Sequence, residues 1–214
     1  MRALLAFALG ACLTACGSNA PEIPEELIAD VPSCAAPDYP TEGLGTELGD
    51  VAKNACFVGY RAPDRVAPSE QHRETVALSD YYDPAGTKGV SLLLLNTAAI
   101  WCAACVAEHG YLPEKAAELG PRGLVILSTL FQDGQRNPAD MGDLERWIEN
   151  FRTNFPMVAD PELELGLYAS PDSAPLNMVI DARSMKILRK YVGDQGAVMW
   201  PYIESELAAR SAAN

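Results

Sequence analysis

The sequence predicts an α/β fold: a central mixed β-sheet flanked by helices, with an N-terminal extension. Three observations carry this. Residues 92–95 and 124–130 are short, continuously apolar runs that read as buried strands. A helix-forming stretch follows each of them. Two further strand-like runs, residues 176–180 and 187–192, lie close enough to form a hairpin. Strand–helix–strand–helix and then strand–strand–helix is the order of a mixed sheet covered on both faces.

Taken in order, residues 1–15 read as an export signal. Arg2 is the basic start, and the apolar stretch from Ala3 to Leu13 is too short to span a bilayer. Residues 16–47, rich in Pro, Glu, Gly and Ala, read as a tether, extended and largely loop. The domain proper covers residues 48–214, with a short strand over 55–58 and a second extended piece over 76–80. Asp83-Pro84-Ala85-Gly86 marks a turn, and residues 90–96 a buried strand bounded by Gly89. Residues 103–119 read as one long helix, kinked by Pro113 and ended by Gly120-Pro121. After the strand at 124–130, Asp140 caps a helix whose Leu144, Trp147, Ile148 and Phe151 share one face. Residues 155–159 suggest a short strand, residues 181–184 the hairpin turn, and a last helix runs from Pro201 to about Arg210.

The chain has 214 residues and a formal charge of −13, from 29 acidic and 16 basic side chains. That balance argues against nucleic acid or anionic lipid surfaces as partners. Two cysteines separated by two residues, in Trp101-Cys102-Ala103-Ala104-Cys105, stand where a strand hands over to a helix and read as a redox pair. Cys102 at the helix N-terminus faces unpaired N–H groups that favour thiolate, so it is the expected exposed nucleophile. Cys105, nearly a turn on and more buried, is the resolving thiol. Glu108 and His109 follow Cys105 by three and four residues, on one helical face. Glu108 is the candidate proton acceptor, whereas His109 reads as a surface residue. Metal and haem readings fit less well. Zinc would need four ligands, with only Cys102, Cys105 and His109 or His72 to supply them. A c-type haem would need His where Val106 stands.

Leu13-Thr14-Ala15-Cys16 resembles the lipobox of bacterial lipoproteins, which implies cleavage before Cys16 and its acylation. Leu9-Gly10-Ala11-Cys12 is a second register with a very short apolar stretch. Gly17 and Ser18 after the anchor lean toward the outer membrane. With Cys12 and Cys16 set aside, Cys34, Cys56, Cys102 and Cys105 remain, an even set suited to an oxidising compartment. A Cys34–Cys56 disulfide would pin the tether to the domain.

The strand, Trp-Cys-x-x-Cys, helix and late hairpin resemble the thioredoxin fold, and more closely its TlpA/ResA-type branch of exported thiol–disulfide oxidoreductases. Asn96, six residues before Cys102, and Glu108 match that branch. Pro175, six residues before Asp181, matches the family's cis-proline, and Ala174 departs from its usual Thr or Val. The resemblance implies disulfide exchange with partner proteins by a periplasm-facing monomer. No cofactor or metal is expected. Trp101, Ala174 and Pro175 would meet the substrate, and the direction leans toward reduction. The alternatives are a non-catalytic thioredoxin-like binding module, or a peroxiredoxin-like or metal-handling variant. The peroxiredoxin Thr-x-x-Cys pattern is missing, because position 99 is Ala.

Overall fold

The computed structural model describes residues 34–212. The expected export signal over 1–15 and the expected lipidation site at Cys16 therefore lie outside the described residues. Seven strands form one sheet: β1 Cys56–Tyr60, β2 Glu74–Ala77, β3 Leu92–Ala99, β4 Leu124–Gln132, β5 Met157–Ala159, β6 Leu176–Asp181 and β7 Ile187–Val192, in the order β2-β1-β5-β4-β3-β6-β7. β3, β4 and β5 run parallel, and β1, β2, β6 and β7 complete antiparallel pairs at the two sides. The helices are α1 Ala103–His109, α2 Leu112–Leu119, α3 Met141–Phe151 and α4 Gly196–Ala212.

The alternation of β3 splits its apolar residues between two cores. Leu92 and Leu94 face a cluster built with Leu112, Leu144, Trp147, Met199 and Ile203, so α2, α3 and α4 all pack there. Leu93 and Leu95 face the opposite cluster, closed by irregular chain through Tyr39, Val51, Leu78, Leu165 and Tyr168. Residues 34–47 are largely loop, yet they are anchored. Tyr39 is buried and its hydroxyl donates to the Ala52 carbonyl at 2.7 Å. Cys34 and Cys56 are joined by a disulfide.

Two helix boundaries differ from the sequence reading. The single kinked helix over 103–119 is two helices, broken at Gly110-Tyr111, and Pro113 sits in the first turn of α2 rather than at a kink. A proline is tolerated there because first-turn N–H groups have no intrahelical partner. The last helix starts at Gly196, not Pro201, which lies inside it. Burial of Met199 and Trp200 holds the earlier turn helical despite the proline. The extended piece over 76–80 is the end of β2 followed by a 3₁₀ turn, Leu78–Asp80.

Candidate active site

β3 delivers the chain to Trp101, and Cys102 caps the first turn of α1. Its sulfur accepts the Cys105 N–H at 3.1 Å, so the local fold aims a backbone donor at that atom. The two cysteines are bonded to each other, with Cα atoms 5.2 Å apart. Cys105 is fully buried and Cys102 is 4 % exposed. Cys102 is thus the more accessible of the pair, but more covered than the exposed nucleophile expected from sequence. Its sulfur turns inward to Cys105 and lies 3.5 Å from the Ala174 carbonyl oxygen. The Ala174–Pro175 peptide is cis, and the Leu176 N–H donates to Thr97 Oγ1 at 3.0 Å, which ties this loop to β3.

Trp101 is half-buried beside the pair. Its indole N–H donates to Gln132 Oε1 at 2.9 Å, and the Arg136 guanidinium lies 3.9 Å from the ring centroid. Arg136 also pairs with Asp172 at 3.2 Å, linking the loop after β4 to the loop before the cis-proline. Gln132, Arg136 and Asp172 carry no local motif, and sequence reasoning did not find them.

Beneath the cysteines, strand register assembles a buried polar row. Asn96 on β3 stands opposite Ser128 on β4 and Asn177 on β6. α1 lays Glu108 and His109 against this row, and all five residues are fully buried. Asn96 Nδ2 donates to Glu108 Oε2 at 2.7 Å and to Asn177 Oδ1 at 2.9 Å, while Asn177 Nδ2 donates to Glu108 Oε1 at 2.6 Å. Ser128 Oγ donates to Asn96 Oδ1 at 2.6 Å. His109 completes the chain, with Nε2 3.1 Å from Ser128 Oγ and Nδ1 3.0 Å from the Cys105 carbonyl.

His109 is therefore not the surface residue expected. Its ring fills a pocket formed by Trp147, Phe151 and Phe155, because the face of α1 that carries it turns toward α3. Sequence reasoning also missed Ser128 and Asn177, whose only signal is a polar residue inside an apolar strand. Burial pushes the Glu108 carboxyl up to about 7; the amides of Asn177 and Asn96 oppose the shift, and Asp194 adds to it. Burial pulls His109 down to about 4, against the Cys105 carbonyl. No group of three or more side chains suited to holding a metal occurs among the described residues.

The mixed sheet, the Cys-x-x-Cys pair starting a helix and the cis-proline beside it define a thioredoxin-like protein. Two solved structures share the fold. A Chlorobium tepidum protein gives a TM-score of 0.58 at 20% identity, covering 76% of this chain and 99% of that one. The thioredoxin domain of a thiol-disulfide oxidoreductase from Bacteroides vulgatus gives 0.55 at 17% identity, with 76% and 99% covered. The sequence model of the AhpC/TSA family matches residues 58–185, and the chain belongs to that family. Among its relatives are proteins named thiol:disulfide interchange protein DsbE. The one from Pseudomonas fluorescens is 33% identical over 55% of this chain, and the one from Haemophilus influenzae 29% identical over 50%. The matched stretch spans 58% and 54% of those relatives' own lengths.

Proposed function

We propose that the protein is a thiol–disulfide oxidoreductase that exchanges disulfides with partner proteins through Cys102 and Cys105. The observation that carries this is the bonded cysteine pair capping α1, with the Cys102 sulfur against the backbone of Ala174 beside cis-Pro175. In the reducing direction, the Cys102 thiolate attacks one sulfur of a partner disulfide and releases the other as a thiolate. A mixed disulfide results. Cys105 loses its proton to Glu108, attacks the Cys102 sulfur and forms the Cys102–Cys105 bond, and the partner departs with its second thiol. Two electrons pass from the cysteine pair to the partner. Ala174 and Pro175 offer backbone to an extended partner segment, and Trp101 walls one side. The reductase direction rests on the resemblance at Asn96 and Glu108, and a reduction potential near about −120 mV would overturn it.

The activity is tested by insulin reduction with dithiothreitol. Wild type is expected to accelerate it and Cys102→Ser to run at the background rate. Equal rates would favour a binding module with a static disulfide. A Cys105→Ser variant is expected to retain its partner as a mixed disulfide, which names the substrate.

Export and lipid anchoring at Cys16 belong to the same proposal, with the domain facing the periplasm and the outer membrane favoured. The lipobox-like Leu13-Thr14-Ala15-Cys16 supports it. Among the described residues no helix is long and apolar enough to cross a membrane. Mass spectrometry of the N-terminal peptide is expected to find acylated Cys16, and Cys16→Ser to leave the protein in the soluble fraction.

A further inference from the structure

We propose that His109 is held as an imidazolium, linked through Ser128 and Asn96 to an ionised Glu108, and that it keeps that carboxylate ready to take the Cys105 proton. This rests on the exchange reaction above and assigns a positioning role to a residue that reaction does not use.

The hydrogens can be counted contact by contact. The Cys105 carbonyl only accepts, so His109 Nδ1, 3.0 Å away, carries a hydrogen. One end of the Asn96 amide faces two acceptors, Glu108 Oε2 at 2.7 Å and Asn177 Oδ1 at 2.9 Å, and must be its nitrogen. The other end is then Oδ1, which takes the single hydroxyl hydrogen of Ser128 across 2.6 Å. Nothing remains for His109 Nε2 to accept from Ser128 Oγ at 3.1 Å, and that contact closes only if Nε2 also carries a hydrogen. A neutral pair fails elsewhere. With Glu108 protonated, reversing the Asn96 and Asn177 amides singly or together always leaves two acceptors or two donors facing each other. An imidazolium with a carboxylate satisfies every contact in the chain.

The His109 ring is enclosed by aromatic side chains, its centroid 5.0 Å from Trp147, 5.7 Å from Phe151 and 6.2 Å from Phe155. α3 and the segment after it bring these rings to His109, and β4 brings Ser128. The titratable groups toward Glu108 are Cys105 on the same helix and, near the rim, Asp194 and Tyr111, whose hydroxyl donates to Asp194 Oδ1 at 2.6 Å. Burial opposes both charges, pushing the Glu108 carboxyl up and His109 down; the complete set of hydrogen bonds, which a neutral pair does not provide, offsets that cost.

In the resolving step the carboxylate takes the Cys105 thiol proton, the new thiolate attacks Cys102, and the bond to the partner breaks. Glu108 then returns the proton to the departing thiolate, while the imidazolium proton stays in place. The network thus presents a base without a net buried charge.

The test is nitrogen NMR of the full chain labelled in histidine. The sequence has two histidines, so His72→Gln leaves one ring to observe. At pH 6 both ring nitrogens of His109 are expected to carry hydrogens. Glu108→Gln and Ser128→Ala are each expected to return the ring to its neutral form, protonated at Nδ1 alone. A neutral ring in the wild type, or an imidazolium that persists in both variants, overturns the proposal. The readout does not depend on turnover. Failure of the exchange reaction would appear separately, as equal insulin reduction by wild type and Cys102→Ser.

Discussion

Glu108 and His109 move their proton affinities in opposite senses, and the sum has a consequence for stability. In the unfolded chain the carboxyl titrates near 4.5 and the imidazole near 6.5; burial pushes the first up and pulls the second down, and the hydrogen bonds to Asn96, Asn177 and the Cys105 carbonyl oppose both shifts. Between pH 4.5 and 6.5 the two together hold one proton in either state, so the pair adds little pH dependence there. Asp160 does add it. Its carboxylate accepts the N–H groups of Glu164 at 2.7 Å and Leu165 at 3.2 Å, but burial raises it from 3.8 to about 7. The folded state therefore keeps a proton that the unfolded chain releases. That stabilisation is complete below pH 3.8 and is lost as pH rises through about 7. It amounts to at most about 4 kcal/mol. The urea midpoint of the wild type is expected to fall between pH 4.5 and 8, and to fall less in Asp160→Asn. An equal fall in both proteins would remove Asp160 as the cause.

The helices invite a comparison between two prolines. Pro113 occupies the first turn of α2, where its missing N–H had no intrahelical partner, so Pro113→Ala should change stability by less than about 1 kcal/mol. Pro201 lies inside α4 and is exposed, where it lacks the N–H that a helix interior uses. Pro201→Ala restores a helical N–H and should stabilise by roughly 1–3 kcal/mol, read as a rise in thermal midpoint. If Pro113→Ala gave the larger rise, these two assignments would be reversed. At the start of α3, Asp140 and Asp143 exchange side-chain bonds with each other's backbone N–H at 2.8 and 3.1 Å. Losing this capping box in Asp140→Ala should lower stability by about 0.5–2 kcal/mol, measured by denaturant unfolding.

Across the whole molecule, the Cys34–Cys56 bond, spanning 22 residues, fastens the N-terminal loop to β1. The chain-entropy model gives it about 3 kcal/mol. A double serine variant at Cys34 and Cys56 should lose roughly that amount in urea and keep its insulin reductase activity; unchanged stability would count against the role. Much of this architecture was legible in the chain, as strands at 92–95 and 124–130, the capped helix at Asp140 and the closing hairpin, because these depend on periodicity, turn residues and caps within one segment. The Cys-x-x-Cys pair was legible for the same reason, since four consecutive residues set both the spacing and the helix start. Where α1 ends and where α4 begins were not, since burial of Met199 and Trp200 outweighs the local proline signal. The polar row was not legible either. Asn96, Ser128 and Asn177 are far apart in sequence, and only strand register sets them side by side under Glu108. By itself the sequence determined the elements and the placing of the cysteine pair at a helix start, which are local properties. The tertiary structure alone decided that His109 lies buried and which groups surround the carboxylate, because both depend on contacts between segments that no local pattern encodes.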